Sequence, residues 1–525
     1  MKDSATPDYD VAIIGFGPSG AVAAGLLGQA GLRTFVCDRA SDIYDKPRAI
    51  ALDHEIMRVF QQLGIADAVV PHTEAFTPSE YFGVDGELIR RMTMVAPPYP
   101  LGFTPSLVFS QPAVEQVLRD RVAALGTVRV ELETELVALA QDDEAVTLTL
   151  RSVDGEERTI RARHVIGCDG ASSTVRGLLA LPLADLDFDE PWLVADVLVN
   201  DAGLAKLPAT SVQYCEPARP SSFIIGPGRH RRWEISLHAD EDPRTAATPE
   251  GTWKLLERWI TPADGTLWRQ ASYRFHALVA ERWRAGRVFI AGDAAHQQPP
   301  FLGQGMCQGI RDVSNLAWKI VAAQREGLTA ATSDALLDSY GEERGQHVRE
   351  LTATIKAIGA VICERDPAKA RRRDAELLEA CGGQVKDTPR QDVLPRLASG
   401  CLSRIDSSAR GTLFPQPWIA RSEGGAAHPG LMDELAGHGW RLVLDDTLRH
   451  AVPALPRVGT QLKVLHFATG GCEERDAVVA DWMQRHNCHA ALVRPDHYVF
   501  GIAADAPALA ALLDEWRGWF AQAPG

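Results

Sequence analysis

The stretch VAIIGFGPSGAVAAGLLGQAG, residues 11–31, decides how the rest of the chain is read. Its apolar character near the N-terminus admits a membrane span, a signal sequence or the mouth of a nucleotide site. The lead-in MKDSATPDYD carries three acids and one lysine, whereas a secretory signal starts with a basic segment. A spanning helix needs about 20 continuous apolar residues. Here Gly15, Gly17, Pro18, Ser19 and Gly20 break the run almost at once. The pattern is a strand from Asp10 to Ile14, a glycine turn, and a helix to about Ala30. TFVCDR, residues 34–39, follows as a second strand closing on Asp38 and Arg39. Gly15 permits the tight turn, Gly17 lets backbone approach a pyrophosphate, and Gly20 lets helix pack on strand. Pro18 and Ser19 open the helix, whose N-terminal amides and dipole suit phosphate. Asp38 can accept hydrogen bonds from both ribose hydroxyls of an adenine dinucleotide, FAD or NAD.

A chain of 525 residues, 46% hydrophobic and 23% charged, has the composition of an ordinary soluble globular protein of roughly two to four domains. With a net charge of −15 and no long basic run, nucleic acid is not an expected partner. The short run Arg371, Arg372, Arg373 reads as a solvated helix face. Nine scattered cysteines without a C-x-x-C pair argue against structural zinc or a disulfide scaffold, and suit a reducing cytoplasm. No metal and no membrane are expected.

Two further segments narrow the dinucleotide. HVIGCDGASSTVR, residues 164–176, and GRVFIAGDAAHQQPPFLGQG, residues 286–305, are each an apolar strand ending in an acid beside glycine. Taken singly, Asp-Gly is a common turn and Gly-Asp a common helix cap. Three such strand ends in one chain place carboxylates where open α/β sheets bind ligands.

Together with DKPRAIALDHE, FSQPAVEQVL and GQGMCQGIRDVSNLAWKI, these segments resemble the class A flavoprotein aromatic hydroxylases, the para-hydroxybenzoate hydroxylase superfamily, and within it the 3-(3-hydroxyphenyl)propionate hydroxylase type. The resemblance runs from about Tyr9 to Arg349 and resumes more weakly after about Gly411. It implies a Rossmann-like (GR2-type) α/β FAD-binding domain interleaved with an antiparallel-sheet substrate domain, plus a C-terminal thioredoxin-like domain. The implied boundaries are 1–80, 105–185 and 280–355 for FAD, 81–104 and 186–279 for substrate, 356–400 for a helical linker without chemistry, and 401–525 for the tail. The tail lacks the redox cysteine pair and is read as structural or dimer-forming.

The resemblance also assigns residues. Gly15, Gly17, Pro18, Ser19, Gly20, Asp38 and Arg39 would cradle FAD. Arg48 would approach it, and Gln111 would open the helix after the second crossover. Asp169 would lie near the pyrophosphate and Asp293 on the ribityl chain. Pro300, Gly303, Gln304, Gly305 and Met306 would meet the flavin at a helix N-terminus, stabilising negative charge on its reduced form. The family's usual Asn after Gly-Met is Cys307 here, read as a buried, inert thiol.

Residues 186–279 alternate apolar and polar, which predicts antiparallel strands with one wet face. Tyr214, Ile224, Gly226 and Glu234 fall near the family's substrate positions. Gly226 stands about where para-hydroxybenzoate hydroxylases carry the carboxylate-binding arginine; of Arg231 and Arg232, one or both are expected to face water. An unperturbed phenol titrates near ~10, so a base or relay is needed. Asp53 and His54 are the candidates by resemblance, with His296 read as a structural hydrogen bond. The activity implied is hydroxylation of a phenolic aromatic, a 3-hydroxyphenylpropionate-like acid, with NADH or NADPH and dioxygen through a flavin C4a-hydroperoxide. The alternatives are a hydroxylase of bulkier aromatics or polyketides, and a non-catalytic FAD-binding or sensing protein.

Overall fold

The computed structural model describes residues 6–325, 327–423, 426–452, 461–468 and 471–520, the side chains of 421–428 excepted. Half of the acidic lead-in, residues 1–5, lies outside it. The strand Tyr9–Ile14 is central to an eight-stranded sheet. Thr34–Cys37 and Glu157–Gly167 flank it in parallel, with Val128–Glu131 and Val288–Ile290 parallel beyond them. Val11 to Ile13 and Val288 to Ile290 are wholly buried, as the near-continuous apolar runs of a parallel sheet covered on both faces require. All the motif strands end at one edge, so Gly15, Asp38, Asp169 and Asp293 converge there. The helix Pro18–Gln29 packs close to its neighbours through glycine: Gly25 faces Leu63 and Gly28 faces Val128.

The second sheet has nine strands. Its long elements are Leu183–Val199 and Gly265–Ala280, followed outward by His230–Ser236, Ser221–Ile225, Ser211–Tyr214, Ser79–Phe82 and Leu88–Thr93. The expected wet face is missing in its middle, where Trp192 to Val197 are all buried. Ala195, Val197, Phe223 and Trp233 pack with Leu256 and Ile260 from the segment behind, while the opposite face closes over a cavity. The linker also departs from expectation. It carries the helix Pro367–Ala380 and then an edge strand, Asp387–Pro389, parallel to Leu88–Thr93. Within that helix Arg373 is not solvated, since it donates to the carbonyls of Val361 and Cys215.

In the C-terminal region Trp440–Asp445 pairs in parallel with Leu462–Phe467 and antiparallel with Ala490–Val493, which pairs with Val499–Ala503. With the helices Val478–Arg485 and Ala506–Gly518, this is thioredoxin-like topology. Buried ion pairs tie it to the rest: Arg58 to Asp433 at 2.6 Å, and Arg494 to Glu343 at 2.7 Å. No described helix is long and apolar enough to cross a membrane.

Candidate active site

One cavity of about 860 Å³ runs from the carboxyl edge of the parallel sheet to the inner face of the nine-stranded sheet. At its first end the glycine turn explains itself. Gly15 has φ of 101°, and a Cβ there would collide with the Cys168 carbonyl. A Cβ on Gly20 would strike the Gly15 carbonyl, so Gly20 serves helix packing and does not line the cavity. Gly17 meets no atom within 4 Å on its open side, which looks into the cavity. It caps the helix Pro18–Gln29 without a side-chain bond, leaving first-turn amides for an anion. Gly17→Ala is therefore expected to leave the melting temperature of the FAD-free protein unchanged and to weaken FAD binding, whereas Gly20→Ala lowers both. Thermal melts with a flavin titration check this.

Asp38 accepts from the backbone amides of Phe16 at 2.6 Å and Ala40 at 2.8 Å, and its carboxylate borders the cavity beside Arg39. The side-chain Oε1 of Gln111 accepts from the backbone amides of Arg48 and Ala49 at 2.9 and 2.5 Å, fixing the loop that brings Arg48 to the cavity. Asp169 accepts from Ser173 Oγ at 2.5 Å and from the Val175 amide at 3.0 Å, so much of its capacity goes to holding the next turn. Asp293 is different. Its carboxylate is exposed to the cavity, with no hydrogen-bond donor among the described residues. A lone carboxylate so placed fits a hydroxyl-rich ligand. Together with the glycine turn and the unclaimed amides, it makes this end suitable for FAD. Asp293→Ala is expected to weaken FAD binding about ten- to a hundredfold, the worth of a hydrogen bond to a charged group, read by flavin fluorescence.

Pro300, Gly303, Gly305 and Met306 line the cavity where the helix Gly305–Arg325 begins. Gln304 points away from it: its amide donates to Asp53 at 3.3 Å and accepts from Arg311 at 2.8 Å. Asp53 and His54 do not line the cavity. Asp53 caps the helix His54–Gln62 and is ion-paired with Arg311, which also holds Glu55 at 2.5 Å. Burial keeps His54 neutral, pushing it down to about 4. Both serve the interior behind the site, which corrects the expectation that they meet the substrate. His296 is bound to Asp312 at 2.8 Å. Cys307 is fully buried, and burial raises its thiol pKa far above the usual range. It should resist thiol reagents in the native protein.

At the second end two rows of side chains cross the sheet face. One runs Gln213, Ser222, Glu234, Val194, by direct strand pairing. The next runs Ile224, Arg232, Asp196, Arg269. Ile224 and Glu234 therefore do face the cavity. Tyr214 and Gly226 do not: the Tyr214 ring packs 5.5 Å from Trp259 on the other side, and Gly226 abuts His230 at a hairpin turn. Arg232 is buried, not wet. It grips Asp196 at 2.7 Å and donates to the carbonyls of Pro47 and Arg48, locking the sheet to the first motif loop. Arg269 shares Asp196 at 3.6 Å. Glu234 has only 4% exposure and no hydrogen-bond donor among the described residues, and burial pushes it up to about 7. Sequence reading found Glu234 as a contact but missed this unpartnered state. It missed Arg390 altogether, which reaches the cavity from the linker.

Asp433, His438 and His497 lie close enough to hold a metal ion, but Arg58 and Arg441 already neutralise Asp433. That repels a cation.

Residues 8–354 match the FAD binding domain family and residues 411–516 the HcaD C-terminal domain. The chain is 35% identical to a probable NADH-specific resorcinol 4-hydroxylase of Rhodococcus jostii, over 96% of this chain and 94% of that one. It is 32% identical to a 3-(3-hydroxy-phenyl)propionate/3-hydroxycinnamic acid hydroxylase of Burkholderia cenocepacia, over 99% and 98%. The crystal structure of the flavin-dependent monooxygenase PieE in complex with FAD and substrate shares the fold, with a TM-score of 0.80 at 23% identity over 99% of this chain and 100% of that one.

Proposed function

The chain belongs to the FAD binding domain family of flavin-dependent aromatic hydroxylases, and from that premise we propose that it hydroxylates a phenol, with NADH as reductant and dioxygen as oxidant, and with Glu234 as the group that accepts the phenolic proton. One observation carries the reading: a single cavity joins the dinucleotide edge to an unpartnered buried carboxylate flanked by arginines. Bound FAD supplies the redox relay and the oxygen-transfer chemistry; the chain supplies position, dryness and charge. The amides after Gly17, with Asp38 and Asp293, hold the dinucleotide. Gln304 and Arg311 brace the helix start from behind.

Electron donation by a phenolate makes the ring nucleophilic. A phenol near ~10 gives its proton up reluctantly, and a base near neutrality is the efficient acceptor. Glu234, at about 7, is such a base. Arg232 and Arg269, held in the neighbouring row, favour the anion that remains.

The test is oxidation of NADH and NADPH by FAD-loaded protein in air, with peroxide followed alongside. Resorcinol, 3-(3-hydroxyphenyl)propionate and a polycyclic phenol form the panel. Stimulation by a single-ring phenol with little peroxide is expected. Stimulation by none of them overturns the reading in favour of a binding protein.

A further inference from the structure

Arg390 is a cation that the fold leaves without an anion. It stands directly after the edge strand Asp387–Pro389 and turns its side chain back into the cavity. Its guanidinium lies 4.3 Å from the centre of the Phe76 ring. Nη1 donates to Ser79 Oγ at 3.2 Å and Nη2 to the Leu302 carbonyl at 2.9 Å. Both acceptors are neutral. No carboxylate among the described residues pairs with it, whereas Arg232 and Arg269 share Asp196. An arginine has five donors and keeps its charge in a protein, so Arg390 holds donors in reserve. Arg390 is half-buried against the cavity wall, and a partly desolvated charge without a counter-charge is costly, so the ligand is the remaining source of one.

The position of Arg390 relative to Glu234 limits what that ligand can be. Ser79, which Arg390 touches, lies on the third strand outward from the strand of Glu234. Ser79 also lies two residues along its strand from Tyr81, which stands in the row of Glu234, so at about 4.8 Å per strand and about 3.4 Å per residue the backbone positions are about 16 Å apart, a gap the two side chains shorten. A phenolic hydroxyl at Glu234 and an anion at Arg390 are therefore well apart, a separation that a ring carrying its acid on a short chain suits. Two hydroxyls on one ring do not span that gap.

We propose that Arg390 anchors the carboxylate of a phenolic acid whose acid group sits on a short side chain, and so sets the preference for such acids over neutral phenols. This rests on the function proposed above. The aromatic face of Phe76 and the two fixed hydrogen bonds hold the guanidinium ready for two-point recognition.

The experiment is calorimetric titration of 3-(3-hydroxyphenyl)propionate and of its methyl ester into FAD-loaded protein, wild type, Arg390→Gln and Arg390→Lys. The acid is expected to bind the wild type more tightly than the ester. Arg390→Gln should weaken the acid about ten- to a hundredfold and the ester hardly at all, the loss expected for a charge-assisted pair. Arg390→Lys, which keeps the charge but not the fork, should fall between. Equal losses for acid and ester, or a wild type that binds the acid no better than the ester, overturn the anchor. Since binding is read without turnover, normal acid binding with no NADH oxidation would sink the proposed function and leave the anchor standing.

Discussion

Glu234→Gln is expected to lower kcat on a phenolic substrate by about 10²- to 10⁴-fold, the usual contribution of a positioned acid–base group. The replacement keeps the shape and removes the proton acceptor, so the dissociation constants for FAD and substrate should change little. The pH profile separates this from a structural role. A base must be ionised to act, so the wild-type kcat/KM should rise as pH passes through about 7, where Glu234 titrates, and the variant should lose that limb. Phenols of lower pKa should recover part of the lost rate. Stability carries the opposite sign. Burial raises the carboxyl from an ordinary 4.5 to about 7, so the folded protein holds a proton that the unfolded chain releases. Stability tied to this group is full below about 4.5 and falls as pH rises through about 7. Glu234→Gln should therefore melt higher than the wild type at pH 8, in the absence of ligands, and no higher at pH 4.5. Unchanged turnover in the variant would remove Glu234 from the chemistry.

Asp433→Ala should destabilise the whole chain by about 3–5 kcal/mol, the usual cost of breaking a buried ion pair by removing one partner. Asp433 is fully buried between Arg58, at 2.6 Å, and Arg441. Arg58 lies on the helix His54–Gln62 behind the cavity, and Arg441 on an inner strand of the thioredoxin-like sheet. The substitution leaves two guanidiniums facing each other without an acid. The effect should reach flavin binding, because Asp53 and Glu55 in the same helical segment hold Arg311 on the helix that starts at the cavity. Replacing Arg58, Asp433 and Arg441 together by apolar residues should cost less than Asp433→Ala alone. Denaturant unfolding of these variants, followed by flavin fluorescence and circular dichroism, makes the comparison. A chelator should have no effect.

These cases show what a sequence discloses and what it hides. The turn from Gly15 to Gly20 is readable because its physics is local: a positive φ, a carbonyl that forbids a Cβ and a bare helix end lie within six residues. Asp38, Asp169 and Asp293 are readable for a related reason, each following an apolar strand that a parallel sheet must align. Asp53 deceives because its partner Arg311 is 258 residues away in the chain, and nothing nearby marks it as already paired. Arg232 deceives in the same way. It alternates like a surface residue, yet Asp196 and two loop carbonyls take it inside. Arg390 sits in a segment with a linker's composition, and its approach to the cavity depends on the edge strand before it.

The central claim is that one cavity couples FAD-dependent oxygen transfer to a phenol held at Glu234. The most direct measurement is the hydroxylated product formed under ¹⁸O₂ in ordinary water, by mass spectrometry, with NADH and 3-(3-hydroxyphenyl)propionate supplied to the wild type and to Glu234→Gln. One labelled oxygen per product molecule is expected in the wild type, and almost no product from the variant in the same time. An unlabelled product, or equal yields from the two proteins, would contradict it.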